Sequence, residues 1–172
     1  TFFTAERMVP APYPGQNNPP QPVVFAPNGD NSWFCRAIAM PVGSLGGSWL
    51  QWCWDIPSYA DTTVAPYYQV SLATLSAAAP GTDNTQVHIH WTCNSDGSTF
   101  VGGGPGTVFN KVVGAAGFWL TPEQQVPVTG PGAYVAGGLA NINLYRAVPG
   151  VGGDTYPDVL YILGCHIRFK VL

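Results

Sequence analysis

The C-terminal segment Tyr156–Leu172 (YPDVLYILGCHIRFKVL) has the pattern of one long β-strand. After Pro157, every second side chain is apolar or weakly polar: Val159, Tyr161, Leu163, Cys165, Ile167, Phe169 and Val171. Because successive side chains of a strand point to opposite faces, these residues share one face. We expect a buried core strand formed by Tyr161, Leu163, Cys165, Ile167 and Phe169. Such a strand needs neighbours on both edges and a second sheet over it, which predicts an antiparallel β-sandwich or barrel.

The rest of the chain repeats short strand patterns separated by turn residues. Strand-like runs are predicted at Ser32–Met40, Gly47–Asp55, Tyr67–Leu75, Gln86–Cys93, Thr107–Gly114, Gly117–Leu120 and Ala133–Val148. Clusters such as PVGSLGG, GGGPG and PGVGGD lie between them and are typical of turns. No long window has a helical period, so the sequence predicts an all-β fold, either a sandwich, a barrel or a jelly roll.

The N-terminal segment Thr1–Asn31 is predicted to be an extended Pro-rich arm that precedes a β domain over Ser32–Leu172. Its 7 prolines remove backbone donors, and only Val23–Ala26 has a strand-like pattern. The arm carries large apolar side chains that are costly to leave in water: Phe2, Phe3, Met8, Tyr13 and Phe25. We expect it to lie against its own domain or a neighbour, and to serve assembly more than folding.

Charged residues are scarce in this sequence. Asp, Glu, Lys and Arg make up 9% of the chain, against about 25% in typical soluble domains. A net charge of −3 with only 6 basic residues excludes a nucleic-acid-binding footprint, and no apolar run approaches the roughly 20 residues of a membrane-spanning helix. Two explanations stay open: a surface covered by partners, because interfaces deplete charge, or a surface of uncharged polar residues.

The four cysteines do not form a redox or zinc motif. Cys35, Cys53, Cys93 and Cys165 include no CxxC pair. Each falls in a predicted strand, where a free thiol is usually buried. We expect four buried thiols, with disulfide pairing as the alternative.

Metal-binding and catalytic motifs are not recognisable either. His88 and His90 share one face of a strand, as in a zinc chelate, but the third ligand is missing, with only His166 or a loop aspartate left. There is no G-x-S-x-G elbow, and the run Gly102–Gly106 lacks the following helix and lysine of a phosphate-binding loop. The sequence therefore predicts no metal, no cofactor and no enzyme.

The order of the segments along this chain resembles the order found in the jelly-roll virion proteins of bacterial viruses. The likeness is carried by the Pro-rich arm, a strand ending in AIAMP, the Trp-dense WLQWCW, the late strand NINLYRAV and the closing DVLYILGCHIRFKVL. The chain is most similar to the single jelly-roll small major capsid proteins of tailless, membrane-containing phages of thermophiles. The resemblance implies an eight-stranded jelly roll that packs in a shell. It also implies a virion protein made in the host cytoplasm, with itself and other capsid subunits as partners.

Two other functions fit the same pattern. A phage tail-fibre or receptor-binding head would trimerise and expose aromatic side chains to a carbohydrate receptor. A carbohydrate-binding module would present Trp49, Tyr59, Tyr67 and Tyr68 as a flat stacking face, unless these side chains belong to the core.

Overall fold

The computed structural model describes residues 3–8, 11–12, 20–25, 35–41, 48–75, 84–97, 106–112, 117–129, 132–146 and 153–172. These residues form twelve β-strands and no helix. The strands are β1 Phe3–Met8, β2 Ala11–Pro12, β3 Gln21–Phe25, β4 Cys35–Met40, β5 Ser48–Asp55, β6 Tyr67–Thr74, β7 Asn84–Asn94, β8 Gly106–Val112, β9 Gly117–Leu120, β10 Gln124–Gln125, β11 Leu139–Arg146 and β12 Leu160–Lys170. Over the same ranges, no helix has the length and apolar character that crossing a membrane requires.

Within the described ranges, the strands form two antiparallel sheets that enclose one hydrophobic core. The seven-stranded sheet has the order β10-β6-β12-β4-β3, with β1 also paired to β12 and β9 also paired to β6. The five-stranded sheet has the order β2-β5-β11-β7-β8. The prediction of an all-β antiparallel sandwich is confirmed, and β12 has neighbours on both edges, as its length and apolar pattern require.

The core lies between the sheets and receives alternate side chains from both. On the five-stranded sheet, Trp52 of β5 and Trp91 of β7 are among the largest fully buried side chains. On the other sheet, Phe169 of β12 is buried in the same cluster, and its ring centroid lies 5.1 Å from that of Trp54. Because side chains alternate along each strand, each sheet also has an outer face that the opposite sheet leaves uncovered.

The predicted facing of β12 is correct for its second half and wrong for its first half. Cys165, Ile167 and Phe169 are fully buried in the core. Tyr161 and Leu163 are only half-buried and pack on the outer face of the sheet, while the core positions belong to Leu160 and Ile162. The cause is an irregularity in the pairing with β6, where Ile162 pairs with Leu72 but Gly164 pairs with Ser71. The extra residue, Leu163, reverses the alternation, as a β-bulge does.

Three short strands of the N-terminal segment belong to the sheets, where the sequence predicted one. β1 pairs with β12 from Phe3↔Lys170 to Met8↔Cys165, β2 pairs with β5, and β3 pairs with β4. Hydrogen-bonded strands therefore lie on both sides of the predicted boundary between arm and domain. Of the candidate assembly contacts, Phe2 and Tyr13 lie outside the described residues, as do the side chains of Phe3, Met8 and Phe25.

A buried ion pair joins β11 to the segment that leads into β12. Arg146 Nε lies 3.1 Å from Asp154 Oδ2, and Arg146 Nη2 donates to Asp154 Oδ1 at 3.1 Å. Arg146 also donates to the carbonyls of Met40, Tyr156 and Asp158. Asp154 in turn accepts from the Gln86 backbone N–H at 2.9 Å. Both charges are thus paired and hydrogen-bonded, which is the condition for burying them.

Candidate functional site: the outer faces of the two sheets

The outer face of the seven-stranded sheet carries an apolar stripe that crosses five strands. We define this apolar stripe by residues of β3, β4, β12, β6 and β9: Val23, Ala37, Tyr161, Leu163, Ala73, Phe118 and Leu120. The register places Val23 beside Ala37, Tyr161 beside Ala73 and Ala73 beside Phe118. The middle of the stripe is packed, because Ala37 and Ala73 are buried under their neighbours.

One end of the apolar stripe is open to solvent. Phe118 is 58% exposed and Leu120 is 47% exposed. They lie on β9, a strand of four residues in which Trp119 turns inward against the core. A short outer strand with large apolar side chains on both faces is unusual for a surface that remains in water. This end of the stripe is therefore the best candidate on this sheet for a contact with another molecule.

Charged and polar groups lie along the same face, beyond the stripe. Arg168 Nη2 forms an ion pair with Glu123 Oε2 at 2.7 Å, and its guanidinium lies 5.3 Å from the ring centroid of Tyr67. Lys170 Nζ lies 2.6 Å from Asp61 Oδ2. The hydrogen bond from Lys170 and those from Thr63 lower the pKa of Asp61 to about 2. An apolar centre with a polar border is the usual arrangement of protein interfaces.

The outer face of the five-stranded sheet is polar but almost free of charge. We define this uncharged face by outward residues of β5, β11, β7 and β8: Gln51, Cys53, Asn141, Asn143, Tyr145, Gln86, His88, His90, Thr92, Val108 and Asn110. The rings of His88 and Tyr145 are stacked with centroids 4.4 Å apart, and those of His90 and Tyr145 are 5.8 Å apart. Burial and the neighbouring His90 lower the pKa of His88.

The His88–His90 pair has no third metal ligand nearby in the described residues. His166, which the sequence offered as a third ligand, lies on β12 and points outward from the seven-stranded sheet. The two histidines of β7 point outward from the other sheet, on the far side of the sandwich. No group of three or more His, Cys, Asp or Glu side chains is arranged for a metal ion within the described ranges.

The aromatic residues proposed for a carbohydrate-stacking face do not share one surface. Tyr68 is buried in the core, whereas its neighbour Tyr67 points outward and accepts a hydrogen bond from Gln125 at 2.8 Å. Tyr59 is exposed in the loop after β5, and the side chain of Trp49 lies outside the described residues. The prediction of a flat face formed by these four is wrong, because consecutive strand residues point to opposite sides.

The cysteines also differ from one another. Cys93 and Cys165 are buried free thiols, as expected, and burial raises the pKa of Cys165 to about 12. Cys53 is a free thiol on the uncharged face and is exposed, which corrects the expectation of a buried side chain. The side chain of Cys35 lies outside the described residues.

Comparison of the chain with protein-family models gave no match, and a search among curated proteins likewise found none. The function therefore has to be inferred from the surfaces described above.

The sequence analysis did not predict the exposed end of the apolar stripe. The segment GFWL nevertheless indicated it, because a short strand with apolar side chains at three consecutive positions has apolar residues on both faces.

Proposed function

We propose that this chain is a viral structural protein, a capsid building block of a bacteriophage shell. The observation that carries the proposal is the apolar stripe, with Phe118 and Leu120 open to solvent at its end. Burying apolar surface is the main driving force of protein association. A sandwich that exposes the end of such a stripe on one broad face is suited to packing against further subunits. The absence of a recognisable catalytic motif in the sequence agrees with a structural role.

The order of the strands supports a single jelly roll. Without β1, β2, β3 and the short β10, eight strands remain, in sheets ordered β4-β12-β6-β9 and β5-β11-β7-β8. The first of these eight strands, β4, then lies beside the last, β12, and the second, β5, lies beside the seventh, β11. This is the order that a jelly roll acquires when a long antiparallel hairpin is wound into two sheets. It agrees with the resemblance to small capsid proteins, although a fold by itself does not define a function.

The N-terminal arm is proposed as a further assembly element. Its candidate contacts are the apolar side chains of Phe2, Phe3, Met8, Tyr13 and Phe25. Proline-rich segments have little conformational freedom to lose, so that ordering them against a neighbour costs comparatively little. The proposed partners are other copies of this chain and other capsid subunits, in the virion.

The proposal is tested by the size of the purified protein in solution. Light scattering and electron microscopy over a range of concentrations should detect shells, sheets or their multimeric intermediates. A stable trimer would instead support the tail-fibre or receptor-binding head. A monomer of 18.2 kDa at every concentration, retained on an immobilised polysaccharide, would support the carbohydrate-binding module and contradict the capsid proposal.

A further inference from the structure

We propose that strand β9 pairs with the β9 strand of a second copy of this chain, antiparallel and across a two-fold axis at Trp119. The seven-stranded sheet then continues from one copy into the next. Because both copies use the same strand, the contact closes as a dimer, which serves as the unit of further assembly. The inference rests on the proposed function, since it assigns an occupant and a geometry to the surface that carries that proposal.

The first argument is the direction of the backbone groups of β9. The Thr121 N–H donates to the Val70 carbonyl at 2.9 Å, so the backbone of Thr121 faces β6. Backbone groups of successive strand residues point to opposite edges. Trp119 therefore also faces β6, whereas Phe118 and Leu120 point their N–H and C=O groups away from it. In the described ranges, no other strand pairs with that edge of β9.

The second argument is that β9 lacks the protection found on other strands with an open edge. β2 and β3 contain Pro12 and Pro22, and proline offers no N–H to an added strand. β1 and β8 contain charged residues, among them Arg7 and Lys111, and β10 has only two residues. Prolines, charges and very short strands are the devices that prevent edge-to-edge pairing. β9 contains neither a proline nor a charge, so its edge is the one suited to receive another strand.

The third argument is that β9 is complementary to itself in one register. When Trp119 lies opposite Trp119 of the second copy, Phe118 lies opposite Leu120 of that copy, and Leu120 opposite its Phe118. These residues have the outward backbone groups, so each facing pair can exchange both of its backbone hydrogen bonds. A shift by one residue would set an outward residue against one that faces β6. A shift by two would set Phe118 against Pro122, which has no N–H, or Leu120 against a residue outside β9.

The side chains agree with the same register. Opposite residues of antiparallel strands lie on one face, so Phe118 of one copy meets Leu120 of the other on the outer face, where both are exposed. The apolar stripe, in which Ala73 lies beside Phe118, then continues into the second copy. Trp119 packs inward against the core and Tyr156, which holds β9 in this facing. Burial of apolar surface drives the association, and the backbone bonds fix its direction.

The first experiment tests the register by disulfide cross-linking. Every protein carries Cys53→Ser, because Cys53 is an exposed free thiol. Phe118→Cys and Leu120→Cys are purified separately and oxidised alone and as a mixture. Opposite residues of a hydrogen-bonded pair have Cα atoms about 5.5 Å apart, within the roughly 4.4–6.8 Å that a disulfide spans. Two copies of the same residue are instead diagonal neighbours, about 7–8 Å apart.

We expect a disulfide-linked dimer from the mixture, and none above the Cys53→Ser background from either protein alone. Mass spectrometry of peptides identifies the bond between positions 118 and 120. Dimers of one variant with itself, as abundant as those of the mixture, would place β9 in another register and overturn the inference. A mixture that does not cross-link, while the wild type still assembles, would overturn it as well and point to a different subunit at this edge.

The second experiment adds a charge to the edge and measures association by light scattering over a range of concentrations. Leu120→Lys places the residue that blocks edge pairing on β9. Val24→Lys is the matched control, because Val24 is an exposed apolar residue of another edge strand, β3. Circular dichroism reports whether each protein stays folded.

For Leu120→Lys, we expect the concentration at half-maximal association to rise at least about tenfold, while Val24→Lys associates as the wild type does. Full association of Leu120→Lys, or an equal loss in both variants, would overturn this inference and leave the capsid proposal to other contacts. A wild type that is monomeric at every concentration would instead overturn the proposed function itself.

Discussion

The guanidinium of Arg146 and the carboxylate of Asp154 form a fully buried, two-point ion pair at one end of the sandwich, with both donor–acceptor distances 3.1 Å. Arg146 is the last residue of β11, while Asp154 accepts from the backbone of Gln86 on β7. The pair therefore ties the segment before β12 to two interior strands of the five-stranded sheet, β11 and β7.

Removing one partner of this pair should destabilise the fold strongly. Arg146→Met leaves Asp154 as an unpaired buried charge, and we expect the free energy of unfolding to fall by about 3–5 kcal/mol. Denaturant titration measures it. The control is Arg168→Met, since the pair of Arg168 with Glu123 is 46% and 44% exposed and should contribute about 0–1 kcal/mol. Equal losses in the two variants would contradict the special role of the buried pair.

The bulge in β12 makes neighbouring apolar residues unequal. Ile162→Ala removes a fully buried side chain and should lower the free energy of unfolding by about 2–5 kcal/mol. Leu163→Ala truncates a half-buried side chain on the outer face and should cost no more than about 1 kcal/mol. Both values come from denaturant unfolding of the isolated protein. A larger effect at Leu163 would show that the strand keeps an uninterrupted alternation.

These two residues illustrate what the sequence could and could not predict. Alternation is a local property, so it identified most of the strands, though not β1, β2 or β10. It also identified the all-β class and the inward facing of Cys165, Ile167 and Phe169. A bulge depends on how β12 fits against β6. Here Ile162 and Gly164, which are two residues apart, pair with the adjacent residues Leu72 and Ser71 of β6. Nothing within β12 itself marks that fit, except the glycine that follows Leu163.

The candidate surfaces were harder to predict for a similar reason. The strand Gly117–Leu120 was predicted with the bounds that the structure gives it. Its pattern does not reveal which side chains another layer covers, so the exposure of Phe118 and Leu120 became visible only in the folded chain. The low charge content did favour covered or uncharged surfaces, and the uncharged face of the five-stranded sheet belongs to the second kind.

The stability of the fold should decrease in strong acid, partly through Asp61. The pKa of this carboxyl is about 2 in the folded chain, against about 3.9 in an unfolded one. The unfolded state therefore takes up the proton first. The stabilisation is complete above about pH 4 and is lost as the pH falls towards 2. Melting temperatures between these limits should fall less steeply for Asp61→Asn than for the wild type. Asp96→Asn is the control, because Asp96 is exposed, and its melting temperature should fall with pH as steeply as that of the wild type. If the melting temperatures of all three proteins fell equally with pH, Asp61 would not be a source of the acid sensitivity.

The pairing of β1 changes what is expected of the N-terminal arm. Six residues of β1 cover the edge of β12 from Cys165 to Lys170. Deleting residues 1–8 uncovers that edge, so we expect the melting temperature to fall by several degrees, at about 2–4 °C per kcal/mol for a chain of this size. Differential scanning calorimetry measures the change. An unchanged melting temperature with weakened association would favour the expectation from sequence, an arm that serves assembly more than folding.

The central claim is that the apolar stripe drives association of this chain, and the most direct measurement is the light-scattering mass of Phe118→Ser at neutral pH. Tyr59→Ser is the matched control, because Tyr59 is an aromatic residue of similar exposure, 56% against 58%, in a loop outside the stripe. We predict multimers for the wild type and for Tyr59→Ser, and a shift to small species for Phe118→Ser with an unchanged circular dichroism spectrum. Equal association of all three proteins, or a monomeric wild type, would contradict the claim.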